Sequence, residues 1–236
     1  MATTSSSFLV RTDGSATWRS SGGCYVIASA TGPIEVSKRD EDPERAFLDV
    51  IVRPPGGMSG TPYDELIQQR ISSALRAVVA LELHPRTLIQ VVVQLVEPGT
   101  AARILSHSKL DPIQTSGLLA SSINAAYVAL LDAGIPLRAS IAATSIVVAA
   151  ELGPNKRQTV LVDPVRLKDS KLIAAHSIAY EMKDNIPSRL ILLESIGKSS
   201  MNSLFQCLDS AKLACVDNHQ LVRTYMQNLA NNKVGY

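Results

Sequence analysis

Two aspartates in the second half of the chain are the first candidates for chemistry. Asp163 and Asp169 lie six residues apart, across the end of a strand expected over residues 158–163 and the segment that follows it. Two carboxylates in such a pair could hold a divalent metal ion, or one of them could act as a general acid. The structural alternative is that both aspartates sit in turns, because Asp163-Pro164 and Asp169-Ser170 are typical turn sequences. The spacing alone favours the turns.

The other common catalytic patterns are missing from the sequence. It contains no GxxxxGK[ST], no GxGxxG and no GxSxG. The histidines at positions 84, 107, 176 and 219 stand singly, and none has metal-ligand spacing to another histidine or a cysteine. We therefore predict neither a cofactor nor a metal ion, and no catalytic constellation is evident from the residues themselves.

The bulk composition argues against a strongly nucleic-acid-binding chain. The formal net charge is +2 and only 4% of the 236 residues are aromatic. A protein that stacks bases on aromatic platforms usually has more aromatic residues, and a small net charge exerts no strong field on phosphates. Any RNA contact would come from a local basic patch or from a larger shared surface.

The cysteines and the ends of the chain bear on the cellular compartment. Cys24, Cys207 and Cys215 are odd in number and form no CxxC pair, which favours buried thiols in a reducing compartment over disulfides or zinc. The N-terminal residues lack the pattern of a secretory signal. The most apolar stretch, residues 141–152, is too short to span a bilayer. We expect a soluble intracellular protein.

Apolar periodicity and turn residues predict an α+β chain, with helices packed on mixed sheets. We expect residues 1–7 to be a flexible N-terminus and residues 8–236 to form a single domain. The first helix begins after Thr61, which can act as its cap, and the second ends at Gly134. The predicted helices cover residues 62–83, 116–133 and 199–230, and the predicted strands cover residues 24–30, 34–37, 47–53, 87–96, 139–151, 158–163, 173–181 and 189–196.

Several segments together resemble the RNase PH superfamily. They are RTDGS at residues 11–15, the strand pair CYVIASATGPIEVSKRDE, the strand FLDVIVRP, the helix end ALRAVV and the segment INAAYVALLDAGIP. The fuller motifs RTDGSATWR and GLLASSINAAYVALLDAGIP resemble the smaller RNase PH-like ring subunits of the eukaryotic RNA exosome. The resemblance implies an RNase PH-like fold, also described as ribosomal protein S5 domain 2-like, with duplicated β-α-β-α units.

The resemblance also implies where a phosphorolytic site would lie. Active members bind phosphate through a Gly-Thr-Arg motif at the start of the second helix. The matching residues here are Gly117, Leu118 and Leu119, so leucines replace the hydroxyl and the guanidinium. Leucine can neither donate a hydrogen bond to phosphate nor offset its charge.

Two further positions of the family site have changed. Active members have an arginine before the first helix, but the match here falls around Tyr63-Asp64. They also have two aspartates six residues apart, of which the first matches Asp169 and the second falls at Ala175. Asp163 matches a further acidic position. Three of four key positions are therefore lost, and the resemblance implies a chain without phosphorolytic activity.

The function implied is that of a structural and RNA-binding subunit of the exosome core ring, which supports 3'-to-5' RNA processing, rRNA maturation and RNA turnover. The implied partners are other RNase PH-like subunits in a hexameric ring, RNA-binding cap subunits, a separate catalytic nuclease and single-stranded RNA in the ring channel. The implied locations are the nucleus, nucleolus and cytoplasm. Candidate RNA contacts are Arg53, Arg103 and Lys109. Two alternatives stay open: a metal-dependent nuclease using Asp163 and Asp169, and a homohexamer with a function of its own.

Overall fold

The computed structural model describes residues 2–6, 9–54, 62–98, 112–151, 158–164 and 170–234. Within these residues the α-helices are α1 (Pro62–Arg76), α2 (Pro112–Asp132) and α3 (Met201–Val234), with a short 3-10 helix at Leu81–Leu83. The strands are β1 (Thr3–Ser6), β2 (Gly14–Arg19), β3 (Cys24–Glu35), β4 (Phe47–Arg53), β5 (Thr87–Pro98), β6 (Ser140–Glu151), β7 (Gln158–Val162), β8 (Ser170–Lys183) and β9 (Ile186–Gly197).

The strands form two sheets. The first has the order β1-β2-β3-β5-β4, and its only parallel pair among the described strands is β4 with β5. The second has the order β7-β6-β8-β9 and is antiparallel throughout these strands. The predicted α+β class is confirmed, although only the first sheet is mixed.

Helix α2 lies between the sheets and forms the centre of the molecule. Every residue from Gln114 to Leu130 is buried, because the helix packs on β2, β3 and β5 on one side and on β6 and β8 on the other. A helix enclosed on all sides needs small and apolar side chains around its whole circumference. The sequence of α2 meets that need with alanine, serine and glycine.

The end of α2 follows the predicted glycine signal. Gly134 has a positive φ of 69°, a conformation that glycine adopts at low cost. The N–H of Gly134 donates to the carbonyl of Leu131, and the N–H of Ile135 donates to that of Leu130, both at 3.1 Å. These bonds satisfy carbonyls that the helix end would leave open.

Strand β2 meets the C-terminal end of α2 at close range. A Cβ on Gly14 would lie 2.3 Å from the backbone nitrogen of Ala133, so only glycine fits there. The N–H of Ser15 donates to a carboxylate oxygen of Asp132 at 3.0 Å. The DGS and LDAG segments noted in the sequence are therefore two sides of one contact.

Helix α3 covers the other face of the second sheet. Cys207, Ala211 and Cys215 form a core with residues of β6 and β8, and Cys24 is buried as well. The prediction of buried thiols is confirmed. None of the helices in the described residues is both long and apolar enough to cross a membrane.

Several sequence-based boundaries were wrong. The first helix ends at Arg76 rather than near residue 83, and the second begins at Pro112 rather than at residue 116. Residues 24–35 form one strand with a register shift between Thr31 and Ile34, rather than two strands. Thr3–Ser6, within the segment expected to be flexible, pair with β2 along its outer edge.

Candidate functional site

Gly117, Leu118 and Leu119 lie inside α2 rather than at its free end. The helix begins at Pro112, whose ring suits the first helical position. The N–H groups left free by a helix are those of its first four residues, and Gly117 is the sixth. The N–H groups of these three residues therefore lie within the helical hydrogen-bond ladder.

Both leucine side chains point into the protein core. Leu118 is 1% exposed and Leu119 is 2% exposed, and both belong to the large hydrophobic cluster formed mainly by α1, α2 and the first sheet. Burial of each leucine contributes about 1.5–3 kcal/mol of apolar transfer free energy. At these positions the helix stabilises the core and offers no group to an anion.

Gly117 has a packing role that spacing in the sequence does not reveal. A Cβ at this position would lie 3.0 Å from the sulfur of Cys24 on β3, so a side chain there would require the Cys24 side chain to shift. Burial, followed by the nearby charge of Asp163, raises the pKa of the Cys24 thiol to about 12. A thiol with this pKa stays protonated at neutral pH and is a poor nucleophile.

The first turn of α2 is tied to β8. The hydroxyl of Ser177 donates to the carbonyl of Ser116 at 2.9 Å, and the hydroxyl of Ser116 donates to the carbonyl of Ile113 at 3.0 Å. Gln114 is 5% exposed, and its side-chain nitrogen is a buried donor without a partner in the described structure.

Ala175 lies on the same face of β8 as Ser177, since side chains two residues apart share a face. It is fully buried and stands opposite Val147 on β6 and Ile196 on β9. The position assigned by resemblance to a second aspartate is thus a methyl group among apolar neighbours.

The start of α1 has acidic rather than basic character. Asp64 lies in the first turn of α1 and is 7% exposed. Farther along the helix, Arg70 forms an ion pair with Glu194 of β9 at 2.7 Å. That pair connects the first half of the chain to the second sheet.

The carboxylate of Asp163 is surrounded by protein donors. It accepts hydrogen bonds from the hydroxyl of Ser21 and the N–H of Gly22, both at 2.8 Å, and from the hydroxyl of Ser145 at 3.1 Å. Its φ of 46° fits a turn residue. Asp169 falls outside the described residues, within which no group of three potential metal ligands occurs.

Comparison with known proteins gives this arrangement its family. Residues 2–136 match the family model described as 3' exoribonuclease family, domain 1. The chain belongs to this family.

Several curated proteins are similar to this family member over most of its length. "Exosome complex component rrp46" of Schizosaccharomyces pombe is 32% identical over 207 residues, which cover 87% of this chain and 80% of that protein. "Exosome complex component RRP46" of Saccharomyces cerevisiae is 28% identical over 205 residues, which cover 86% and 85%. "Exosome complex exonuclease RRP46 homolog" of Arabidopsis thaliana is 26% identical over 245 residues, which cover 98% and 92%.

A solved structure supports the fold. The crystal structure of rice (Oryza sativa) Rrp46 superposes with a TM-score of 0.75 at 24% sequence identity, and the match covers 96% of this chain and 94% of that one. At this identity the likeness concerns the fold, and it confirms the RNase PH-like architecture.

Only one of the three candidate RNA contacts of this family member lies within the described residues. Arg53 ends β4 and is exposed, and it forms no ion pair with any carboxylate of the described residues. Arg103 and Lys109 lie outside the described residues. The predicted basic surface therefore stays a prediction.

Sequence reasoning missed the partners of Asp163. Ser21 and Gly22 are 142 and 141 residues away from it in the chain, and no local spacing connects them. The only available signal was the Ser20-Ser21-Gly22-Gly23 run, which indicates a tight turn between two strands. That the donors of this turn bond to the carboxylate of Asp163 becomes clear only from the structure.

Proposed function

We propose that this chain is a non-catalytic, structural and RNA-binding subunit of the core ring of an RNA exosome, where it supports 3'-to-5' RNA processing, rRNA maturation and RNA turnover. The relatives named as exosome complex components, matched over most of the chain, support membership in such a complex.

The burial of Leu118 and Leu119 is the observation that carries the non-catalytic part of the proposal. Phosphorolysis needs hydrogen-bond donors and a cation around the attacking phosphate, and these two positions supply apolar packing instead. Ala175 adds a third apolar group. Loss of a single such donor reduces turnover by about 10²–10³-fold, so several losses together would leave no useful activity.

The partners follow from ring membership. They are other RNase PH-like subunits in a hexameric ring, RNA-binding cap subunits, a separate catalytic nuclease and single-stranded RNA in the channel. Arg53 is the described member of the proposed RNA-binding set, which also contains Arg103 and Lys109. We place the complex in the nucleus, nucleolus and cytoplasm.

A second candidate is a residual metal-dependent nuclease that uses Asp163 and Asp169. The name of the Arabidopsis relative, which contains the word exonuclease, is the observation in its favour. Against it, Asp163 already accepts three hydrogen bonds from protein groups. A metal ion would have to displace at least part of that arrangement.

The deciding experiment measures phosphorolysis and hydrolysis of single-stranded RNA by the purified chain, with phosphate and Mg²⁺. We expect no product from the natural chain or from the Leu118→Thr/Leu119→Arg variant. Activity of the natural chain that disappears in Asp169→Asn would establish the nuclease instead. Because Leu119→Arg places a cation in the core, the variant's thermal unfolding must show that it is folded.

Assembly is tested separately by co-expression with the other ring subunits of the same organism. We expect the chain to co-elute with them on size-exclusion chromatography in equal amounts. Elution of this chain alone, as a hexamer, would favour a homohexamer with its own function.

A further inference from the structure

A cleft of about 790 Å³ lies where the first sheet, the second sheet and α3 approach one another. One wall is β1 with Ala2, and the opposite wall is α3. The floor comes from Ser121 and Asn124 of α2 and from Thr144 and Ser145 of β6. None of these floor residues belongs to the leucine-substituted phosphate site described above.

The cleft is long rather than round. Its lining on α3 extends from Ala214 to Asn228, which corresponds to about 21 Å at the helical rise of about 1.5 Å per residue. An extended peptide advances about 3.3 Å per residue. The cleft therefore matches about six residues of extended chain.

The wall formed by β1 is the free edge of a sheet. Among the described strands, β1 pairs with β2 alone. The N–H of Ser6 points away from β2 and donates to the hydroxyl of Tyr225 at 2.6 Å. Because backbone groups alternate in direction along an antiparallel strand, the N–H and C=O of Thr4 also point away from β2, on the side of the cleft. An added strand would meet the groups of Thr4, and at Ser6 it would have to replace the Tyr225 hydroxyl as the acceptor.

The floor of the cleft presents hydroxyl groups that no described residue engages. Ser121 is 2% exposed and Thr144 is 3% exposed, and neither side chain forms a hydrogen bond within the described structure. Polar groups that line a cleft can fix the orientation of a ligand, so these two hydroxyls are suited to backbone groups of a ligand.

The charge of the lining selects the kind of ligand. Its charged side chains are those of Asp163 and Asp217, and the described lining residues include no lysine, arginine or histidine. Two carboxylates repel the phosphates of RNA, and complementary potentials favour a positively charged partner. The described lining is therefore unfavourable to a nucleic-acid strand and favours a basic peptide.

We infer that this cleft binds an extended segment of another protein chain, which adds to β1 as an extra strand and places a lysine or arginine near Asp217. Strand addition to a free sheet edge gives affinity through backbone hydrogen bonds, and side-chain contacts give selectivity.

The test uses two pools of fluorescein-labelled octapeptides made from threonine, valine and serine, one with an Arg-X-Arg centre and one with a Glu-X-Glu centre. Fluorescence anisotropy with the natural chain should show at least about fivefold tighter binding of the arginine pool. Asp217→Lys should weaken that binding by about tenfold. The control Asp209→Lys makes the same charge change on α3, outside the cleft, and should leave binding unchanged.

Two further variants separate the backbone contact from the charge. Thr224→Trp obstructs the cleft from an exposed position on α3, and Thr4→Pro removes the outward N–H of β1 at a site where an edge strand tolerates proline. Both should weaken binding in chains whose thermal unfolding is unchanged. Equal binding of the two pools, binding that Asp217→Lys leaves intact, or displacement of the peptide by an octauridine oligonucleotide would each overturn the inference.

Discussion

At the scale of single residues, Asp163 shows how a carboxylate that is a catalytic candidate in the sequence can have a structural role in the fold. It holds the turn after β2 against the second sheet through Ser21, Gly22 and Ser145. It also raises the pKa of the neighbouring Cys24 thiol, after the larger effect of burial. These three hydrogen bonds fix the position of the carboxylate between the two sheets.

Removal of this carboxylate should destabilise the protein. We expect Asp163→Ala to lower the free energy of unfolding by about 2–4 kcal/mol, since hydrogen bonds to charged groups contribute about 1.5–3 kcal/mol each and are not additive. Asp163→Asn should cost less, because it keeps an acceptor. Urea unfolding measures both, with the exposed Asp209→Asn as control. If Asp163→Ala left the free energy of unfolding unchanged within error, the structural role of Asp163 would be refuted.

The sequence predicted the candidate site unevenly. The proposed replacement of phosphate donors by Leu118 and Leu119 could be predicted directly, because the resemblance assigns the positions and the residue types decide the chemistry. The contact of Gly117 with Cys24 could not be read, because it depends on the distance between a helix and a strand. The turn alternative for Asp163 was already favoured by its Pro164 neighbour, but its three donors come from distant parts of the chain.

His176 should make stability depend on pH. It is fully buried, its Nδ1 lies 2.8 Å from the Ser195 hydroxyl, and burial lowers its pKa from 6.5. Above pH 6.5 the imidazole is neutral in both states. Below pH 6.5 the histidine is protonated in the unfolded chain but still neutral in the folded chain. The free energy of unfolding therefore falls as the pH is lowered, until the pH drops below the pKa of the folded histidine. One group contributes at most about 1.4 kcal/mol per pH unit.

The check is urea unfolding between pH 7.5 and pH 5 for the natural chain and for His176→Gln. The variant should lose less stability on acidification than the natural chain. His219 has a pKa lowered in the same direction by burial and by Arg223, so His219→Gln serves as a matched comparison that retains the His176 contribution. Identical pH dependence in the natural chain and His176→Gln would contradict the assignment.

At the scale of elements, the contact between β2 and the end of α2 decides how the first sheet sits on the central helix. Gly14→Ala should cost about 3 kcal/mol or more, because its Cβ would overlap the backbone of Ala133. Gly134→Ala should cost only about 1–2 kcal/mol, since nothing lies within 4 Å and only the positive φ opposes it. Thermal unfolding of both variants distinguishes steric from conformational cost, and equal losses would contradict the close contact.

The elements were predictable where local signals and packing agree. β4 matched its predicted bounds, Phe47–Arg53, because β-branched residues are followed by prolines and glycines. The start of α2 was misplaced because Pro112 and the buried polar residues after it resemble a loop, although the surrounding sheets keep them helical. β2 was missed since GSATWR is short and contains only one large apolar residue, and its pairing with β3 depends on the rest of the sheet.

At the scale of the whole molecule, the two sheets share one core. The large hydrophobic cluster joins α1 and the first sheet to Ile141 and Ala143 of β6 and to Ala179 of β8. Arg70 and Glu194 add an ion pair between the halves. Helix α2 packs on both sheets. If one sheet unfolded, the face of α2 that it covers would be exposed to water, so the two sheets depend on each other. We expect the described parts to unfold as one cooperative unit.

Asn124 gives the sharpest test of that cooperativity. β7 pairs with β6 only from Ile146 onward, and at Ala143 the side chain of Asn124 takes the place of a neighbouring strand. It donates to the Ala143 carbonyl and accepts from the Ala143 N–H, both at 2.8 Å. Asn218 of α3 donates to the same carbonyl at 3.0 Å.

Asn124→Ala should therefore cost about 2–4 kcal/mol, because it leaves the Ala143 N–H buried without a partner. Asn218→Ala should cost at most about 1 kcal/mol, since the carbonyl keeps its bond to Asn124. If the core is shared, Asn124→Ala will speed amide hydrogen exchange of the most protected β3 and β8 amides by the same factor, about tenfold for each 1.4 kcal/mol. Faster exchange confined to β6 and β8 would mean that the second sheet opens alone, and that α2 does not couple the two halves.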